Sequence, residues 1–600
     1  MDRLFKRVNL HMTGARILLL AITLSFSACN QFSKKSDSGT EEEIVTEEVS
    51  TDTPAAEEDT TQDAVPSEGM LWTRYDESGE LEANAEHPIA RMRYKLIQSK
   101  VLDKNEVFMP LYPEVGKMAQ TEYERLKPQI MGRTIPEVQS AVKSGAFSYE
   151  DLTRFFLYRI YAFELDNRTT LNTIIALNAD VIREAKRKDS ALKASPGMER
   201  HPIFGMPILL KDNINTAGMH TTAGAIALMN NQTDDAYIVE RLKERGALIL
   251  GKVNLSEWAY YMCSGCPVGY SAVGGQTLNP YGRRAFETGG SSSGSGTAMA
   301  AGYAMGAVGT ETSGSILSPS SQNSIVGLKP KVGMLSRNGI VPISSTLDTP
   351  GPMTRSVTDA AILMDAMLGY DILDPVAFNV NWGADWYLKP TPNAIGGLRL
   401  GVFESLMESD QLYRSTVENL KKAGAKIIPF KAPEVEREGF LTLLNLDMRK
   451  DLPEYLNTQI RDTTEVTVRS VADVVAFNNA DPELRIPYGQ KLLEGIVADT
   501  TSEEAFLKIR KALLDGGRQF FDEPWEAHQL DGILSVNNLH AGYAATARNP
   551  ALTIPMGYRE SGEPAGLTII VRGFQVPLAF QLAYAIEAIQ PARKAPEGYE

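Results

Sequence analysis

The sequence predicts an α/β fold in which helices layer a β-sheet. Two observations point there. Short apolar runs punctuated by glycine alternate along the chain with stretches whose apolar residues recur every three or four positions. Strands alternating with helices in this way build a sheet covered by helical layers. The second observation is the segment from Thr288 to Pro330, dense in glycine and serine yet enclosing the apolar Ala/Gly run 298–308. A flexible linker contains no such run. Glycines there serve close backbone packing around a buried helix and strand.

In chain order, residues 70–200 read as mainly helical, with three- and four-residue apolar spacing over 151–165 and 171–188. Strands are predicted at 207–210, 247–251, 397–403, 532–536, 552–555 and 566–571, with helices at 238–245, 357–368, 412–423 and 577–589. The stretch 434–522 is polar, helix-rich and poor in glycine, which marks an insertion beside the cleft.

The N-terminus reads as a targeting segment rather than as part of the fold. Residues 1–29 read as a signal peptide, with a basic stretch ending at Arg16, the apolar run 17–26 and then Ser27-Ala28-Cys29. The run is too short to span a bilayer comfortably. Small residues before a cysteine resemble the bacterial lipobox, in which the cysteine is lipidated, although Phe26 stands where an aliphatic residue is usual. The other reading is a plain secretory signal or an uncleaved anchor. Residues 30–69 hold twelve acids against Lys34 and Lys35 and have almost no aromatics. Such a composition cannot offset its ordering entropy and reads as an acidic tether. The expected location is the cell envelope, with the protein held to a membrane through lipid on Cys29. Most of the formal charge of −15 lies in the tether, and nothing in the rest forms a basic nucleic-acid surface.

Several chemistries compete for the glycine-serine segment. A phosphate-binding loop lacks its Gly-Lys-Ser/Thr end. Gly290-Ser291-Ser292-Ser293-Gly294 satisfies the G-x-S-x-G nucleophile elbow, with His528 or His540 downstream as base. Cys263 and Cys266 have CxxC spacing, but no second pair or nearby histidine completes a zinc site. They read as a structural disulfide or two inert small residues. No cofactor or metal is implied.

The segment resembles the signature of the amidase signature family, in its peptide amidase branch. Gly289-Gly290-Ser291-Ser292, then Gly309-Thr310-Glu311-Thr312-Ser313-Gly314-Ser315-Ile316, then Gly327-Leu328-Lys329-Pro330 follow its order. Upstream, Gly205-Met206-Pro207 leading to Lys211-Asp212-Asn213, and Leu250-Gly251-Lys252-Val253-Asn254-Leu255-Ser256-Glu257, resemble its other blocks. The match runs from about residue 135 to the C-terminus, which leaves 70–134 as a helical N-terminal extension and 135–600 as the catalytic domain. The resemblance implies a mixed sheet with helices on both sides. It implies a serine-type amidase with Ser315 as acyl nucleophile, Ser291 as bridging serine on a cis peptide bond, and Lys211 as base. The backbone N–H groups of Thr312, Ser313, Gly314 and Ser315 fall on its oxyanion hole. The expected substrate is a small-molecule or peptide amide. Three residues depart from the pattern: Glu311 stands for an aspartate, Ser313 for a glycine and Leu317 for an arginine. An amidotransferase subunit and an inactive envelope binding protein are the alternatives on the same core.

The chemistry is physically reasonable. Amide cleavage needs a nucleophile, a base to activate it and a cradle for the oxyanion. Lysine serves as base only when neutral, which its ordinary pKa of about 10.4 prevents. Burial lowers such a group by up to roughly 3–5 units. Lys211 follows the apolar run Ile208-Leu209-Leu210 directly, as a residue at the buried end of a strand would.

Overall fold

The computed structural model describes residues 70–383, 386–388 and 395–600. The signal, lipidation and tether expectations for residues 1–69 lie outside them. The described residues fall within one unit, Gln62–Glu600. Its strands are β1 Ile174–Leu177, β2 Pro207–Lys211, β3 Leu248–Val253, β4 Tyr270–Ser271, β5 Gly275–Gln276, β6 Gly306–Glu311, β7 Val326–Lys329, β8 Thr349–Thr354, β9 Arg399–Phe403, β10 Lys426–Phe430, β11 Gly532–Val536, β12 Ala551–Tyr558 and β13 Pro564–Ile570.

Eleven of these form one sheet in the order β1-β3-β2-β6-β8-β7-β12-β13-β11-β9-β10, while β4 and β5 pair separately. β2 runs parallel to β3 and to β6. From β6 through β8, β7, β12 and β13 to β11 each neighbour is antiparallel. β11, β9 and β10 are parallel again. The sheet is therefore mixed, as expected. β2 and β3 are buried along their whole length, which is why they read as continuous apolar runs rather than alternating ones.

Helices supply the covering layers. Tyr149–Glu164 starts at a capping box between Ser148 and Asp151 and buries Leu152, Phe155, Phe156 and Ile160. Ser293–Ala300 is buried throughout. A Cβ on its Gly294 would meet the backbone nitrogen of Asn254 at 2.6 Å, so a glycine is what lets the helix lie against the end of β3. Ahead of the catalytic segment, helices Lys104–Phe108 and Gln120–Ile130 bury Phe108, Leu126 and Ile130 in the same core as the sheet.

Three features differ from the sequence reading. The predicted helix 171–188 is divided between β1, paired antiparallel with β3, and a helix at Val181–Ala194. Asn178 makes the break, its carboxamide oxygen accepting the N–H of Asp180 at 3.0 Å. The core strand β8 was not anticipated; proline is disfavoured inside a sheet, yet Pro350 and Pro352 pair here opposite Thr310 and Val308. The short strands β7 and β10 also went unrecognised as strands.

The insertion between β10 and β11 is helical, with its main helices at Phe440–Thr458, Val471–Asn479, Lys491–Ala498 and Glu503–His528. It builds a second apolar cluster in which Leu443, Leu452, Val474 and Ile496 share a core with Ala223, Trp258 and Cys263. Cys263 and Cys266 are joined as a disulfide.

Candidate active site

Because β2 and β6 are parallel neighbours, Lys211 and Glu311 at their C-terminal ends open on one edge of the sheet. Lys211 is fully buried. Its Nζ donates to Ser291 Oγ at 2.8 Å, to Thr310 Oγ1 at 2.8 Å and to the Thr310 carbonyl at 3.2 Å. Burial pulls its pKa from 10.5 down to about 7, against the opposing pull of the Asp348 and Glu311 carboxylates. Asn213, two residues on, also donates to Thr310 Oγ1, at 3.0 Å, and holds that hydroxyl in place.

Ser291 follows a cis Gly290–Ser291 peptide bond, as the resemblance implied, and is fully buried. Its carbonyl accepts the Ser256 N–H at 3.0 Å. The next residue ties the segment to Ser315, since the Ser292 N–H donates to the Ser315 carbonyl at 3.2 Å. The Ser292 hydroxyl donates to the Thr310 carbonyl at 3.0 Å and accepts the Thr310 N–H at 3.2 Å. Ser292 is thus a buried clamp between helix and β6, and the elbow reading finds no support. His540 stacks on Phe403 at 3.9 Å and meets the Ser535 hydroxyl at 2.7 Å. Burial lowers its pKa to about 4. His528 ends the helix Glu503–His528, and its carbonyl accepts from Arg399.

After β6 the chain makes a tight turn. The Glu311 carboxylate bends back to accept the N–H groups of Ile316 at 2.7 Å and Leu317 at 3.0 Å. Gly314 takes φ +97°, a left-handed conformation that glycine adopts without a steric penalty. Among the described residues, none of the N–H groups of Thr312, Ser313, Gly314 and Ser315 donates a hydrogen bond. Successive unused N–H groups in such a turn form a concavity suited to an anion. Ser315 is partly exposed, and its hydroxyl has no hydrogen-bond partner among the described residues.

The turn is braced from β8. Thr312 Oγ1 donates to Asp348 at 2.6 Å, and the other Asp348 oxygen accepts the N–H groups of Ile343 and Ser344, each at 2.8 Å. Burial raises the pKa of Asp348, while these donors oppose the rise. Sequence reasoning missed Thr310 and Asp348 as parts of the site. Thr310 was legible as a neighbour of Glu311, whereas Asp348 reaches the site only through the unanticipated strand β8.

With this geometry in view, comparison with known proteins defines the class. The family model Amidase matches residues 151–523. A probable amidase of Arabidopsis thaliana is 33% identical over 485 residues, covering 78% of this chain and 92% of that protein. The crystal structure of an amidase family protein from Bacillus anthracis superposes with a TM-score of 0.78 at 34% identity, covering 84% of this chain and 99% of its own. The native peptide amidase from Stenotrophomonas maltophilia superposes with a TM-score of 0.72 at 36% identity, covering 78% and 99%. The protein is an amide hydrolase with a mixed-sheet α/β fold. It belongs to the amidase family, whose signature the segment around Ser291 and Ser315 carries.

Proposed function

We propose that the protein hydrolyses a carboxamide to a carboxylate, releasing ammonia or an amine, through an acyl-enzyme on Ser315. Ser315 Oγ attacks the carbonyl carbon while its proton passes through the Ser291 hydroxyl to neutral Lys211. The N–H groups of Thr312, Ser313, Gly314 and Ser315 receive the oxyanion. Return of the proton to the nitrogen releases the amine, and a water then cleaves the ester by the same route. The observation that carries this reading is the contact of a fully buried lysine with the Ser291 hydroxyl at 2.8 Å. A buried amine is destabilised as a cation and is thereby suited to accept a proton at neutral pH.

The likeness to the peptide amidase from Stenotrophomonas maltophilia supports a peptide C-terminal amide as the substrate. A panel of peptide, aryl, fatty and small aliphatic amides, read by ammonia or amine release, tests this. Turnover of the peptide amide at least about tenfold above the others is expected. Preference for any other class overturns the substrate assignment. Labelling of Ser315 by a fluorophosphonate separates an active enzyme from a binding protein on the same fold.

Lipidation at Cys29 and residence at the cell envelope complete the proposal, on the strength of the basic, apolar and small-residue order of residues 1–29. That signal-like order also favours a stand-alone amidase over a cytoplasmic amidotransferase subunit. Cys29→Ser is expected to move the protein from the membrane fraction to the soluble envelope fraction or to stall its processing. Unchanged membrane association, together with no incorporation of labelled fatty acid into the wild type, would remove the anchor.

A further inference from the structure

At the catalytic edge of the sheet lies a group of cations without hydrogen-bond or ion-pair partners for their side chains among the described residues. The helix Ala541–Thr546 starts beside the turn that holds Ser315, since a Cβ on Gly314 would lie 3.5 Å from the Ala541 Cβ and 3.1 Å from the Asn538 carboxamide. Arg548 lies two residues past the C-terminal end of this six-residue helix, which rises about 9 Å at 1.5 Å per residue. Arg548 adopts φ +55°, a conformation uncommon for any residue with a side chain. Its Nε is buried without a hydrogen-bond partner among the described residues.

Two other elements bring cations to the same place. Gly517 of the helix Glu503–His528 packs on this segment: a Cβ there would meet the Ala547 nitrogen at 2.6 Å. Arg510 lies two turns earlier on the same helix face. Lys331 leaves the end of β7, whose Lys329 pairs opposite Ala551, so it emerges beside residues 548–550. Its Nζ sits 5.4 Å from the centre of the Phe574 ring.

The side chains of Arg510 and Arg548 have no hydrogen-bond or ion-pair partner among the described residues, and that of Lys331 has only its aromatic contact. All three are partly exposed. Arg518, Arg337 and Asp447 complete the charged surroundings. Asp447 is engaged by the Ser344 hydroxyl, Arg337 is paired with Asp374, and Arg518 with Asp515. Repulsion from Arg510, Arg337 and Arg518 adds to desolvation in lowering the pKa of Arg548. Burying part of an unpaired guanidinium among like charges is unfavourable unless an anion joins it, and guanidinium binds carboxylate with paired, directional hydrogen bonds.

We infer that Arg548, Arg510 and Lys331 form an anion-binding subsite for a carboxylate carried by the amide substrate, one helix length from the turn that holds Ser315. A helix length of about 9 Å corresponds to about three residues of extended chain at 3.3–3.6 Å each. The inference rests on the proposed amidase reading for its substrate, and it adds to that reading a preference for acidic amides.

The test uses dipeptide amides capped with succinyl, which ends in a carboxylate, or with neutral acetyl. Binding is measured by calorimetry to the full-length Ser315→Ala protein, so the result does not depend on turnover. The succinyl ligand is expected to bind at least about tenfold tighter than the acetyl ligand, and this advantage is expected to shrink with added salt. Arg548→Gly, a change that suits the left-handed backbone, is expected to erase the difference, and Arg510→Gln to reduce it. Thermal melts of both variants establish that they fold. Equal binding of the two ligands, no binding of either, or a difference that survives in folded Arg548→Gly overturns the subsite. A binding difference with no hydrolysis of either ligand by the wild type would instead count against the amidase reading alone.

Discussion

Ser315→Ala is expected to reduce turnover by on the order of 10⁴–10⁶-fold, the scale seen when an acyl nucleophile is removed from a serine hydrolase. The fold should survive. The hydroxyl is partly exposed and has no partner among the described residues, so its loss leaves no buried group unsatisfied. Substitutions of that kind usually change stability by less than about 0.5 kcal/mol. The backbone N–H groups of the turn remain, so some catalysis above the uncatalysed rate should persist. Paired measurement of kcat/KM and of the melting temperature checks both halves. A variant that melts like the wild type and keeps more than a few per cent of its activity would show that another group attacks the carbonyl.

The second large effect concerns the base and its pH dependence. Burial holds the Lys211 pKa at about 7. Below that value the amine is protonated and cannot accept a proton; above it the neutral form dominates. kcat/KM should therefore rise as pH increases through about 7 and then level off, with an apparent pKa belonging to the coupled Lys211–Ser291–Ser315 group. Lys211→Ala should flatten this limb and lower the rate by roughly 10²–10⁴-fold, the usual worth of a positioned general base. Lys211→Arg should be equally damaging, because guanidinium stays protonated throughout the range. Lys211→Met, of similar length and apolar, controls for the vacated volume and should also be inactive while remaining folded. His540→Ala should keep the rising limb, since that ring is stacked on Phe403 and bonded to Ser535. Profiles from pH of about 5 to 10 decide the matter. A wild-type limb in Lys211→Arg, or its loss in His540→Ala, would transfer the role of base to histidine.

The sequence alone determined those parts that local residue order can encode. Lys211 at the end of an apolar run is a buried strand end because Ile208, Leu209 and Leu210 have nowhere to go but the core, and the structure buries all of them. The glycine-serine segment is packed helix and strand rather than linker for the same reason: its Ala/Gly run has small side chains that let backbones approach closely. Ser291, Ser315 and the turn between Thr312 and Ser315 were named because each lies in a short motif whose order is itself the signal.

Tertiary structure decided what depends on distant partners. Residues 171–177 carry the apolar spacing of a helix, yet β1 forms because an edge position beside β3 was open to antiparallel pairing. Pro350 and Pro352 disfavour a strand locally, and only placement between β6 and β7 makes β8 one. Through β8 comes Asp348, which braces Thr312 from 36 positions away. The clamp of Ser292 on Thr310 distinguishes it from its neighbour Ser291, which a run of three serines cannot do. Lys331, Arg510 and Arg548 come from three separate elements, and their like charges lie together because Gly517 packs on Ala547 and β7 pairs with β12. Motif order encodes the groups that carry the reaction. The groups that orient and surround them depend on contacts between segments far apart in the chain, whose closeness arises from burial and pairing that no local run of residues specifies.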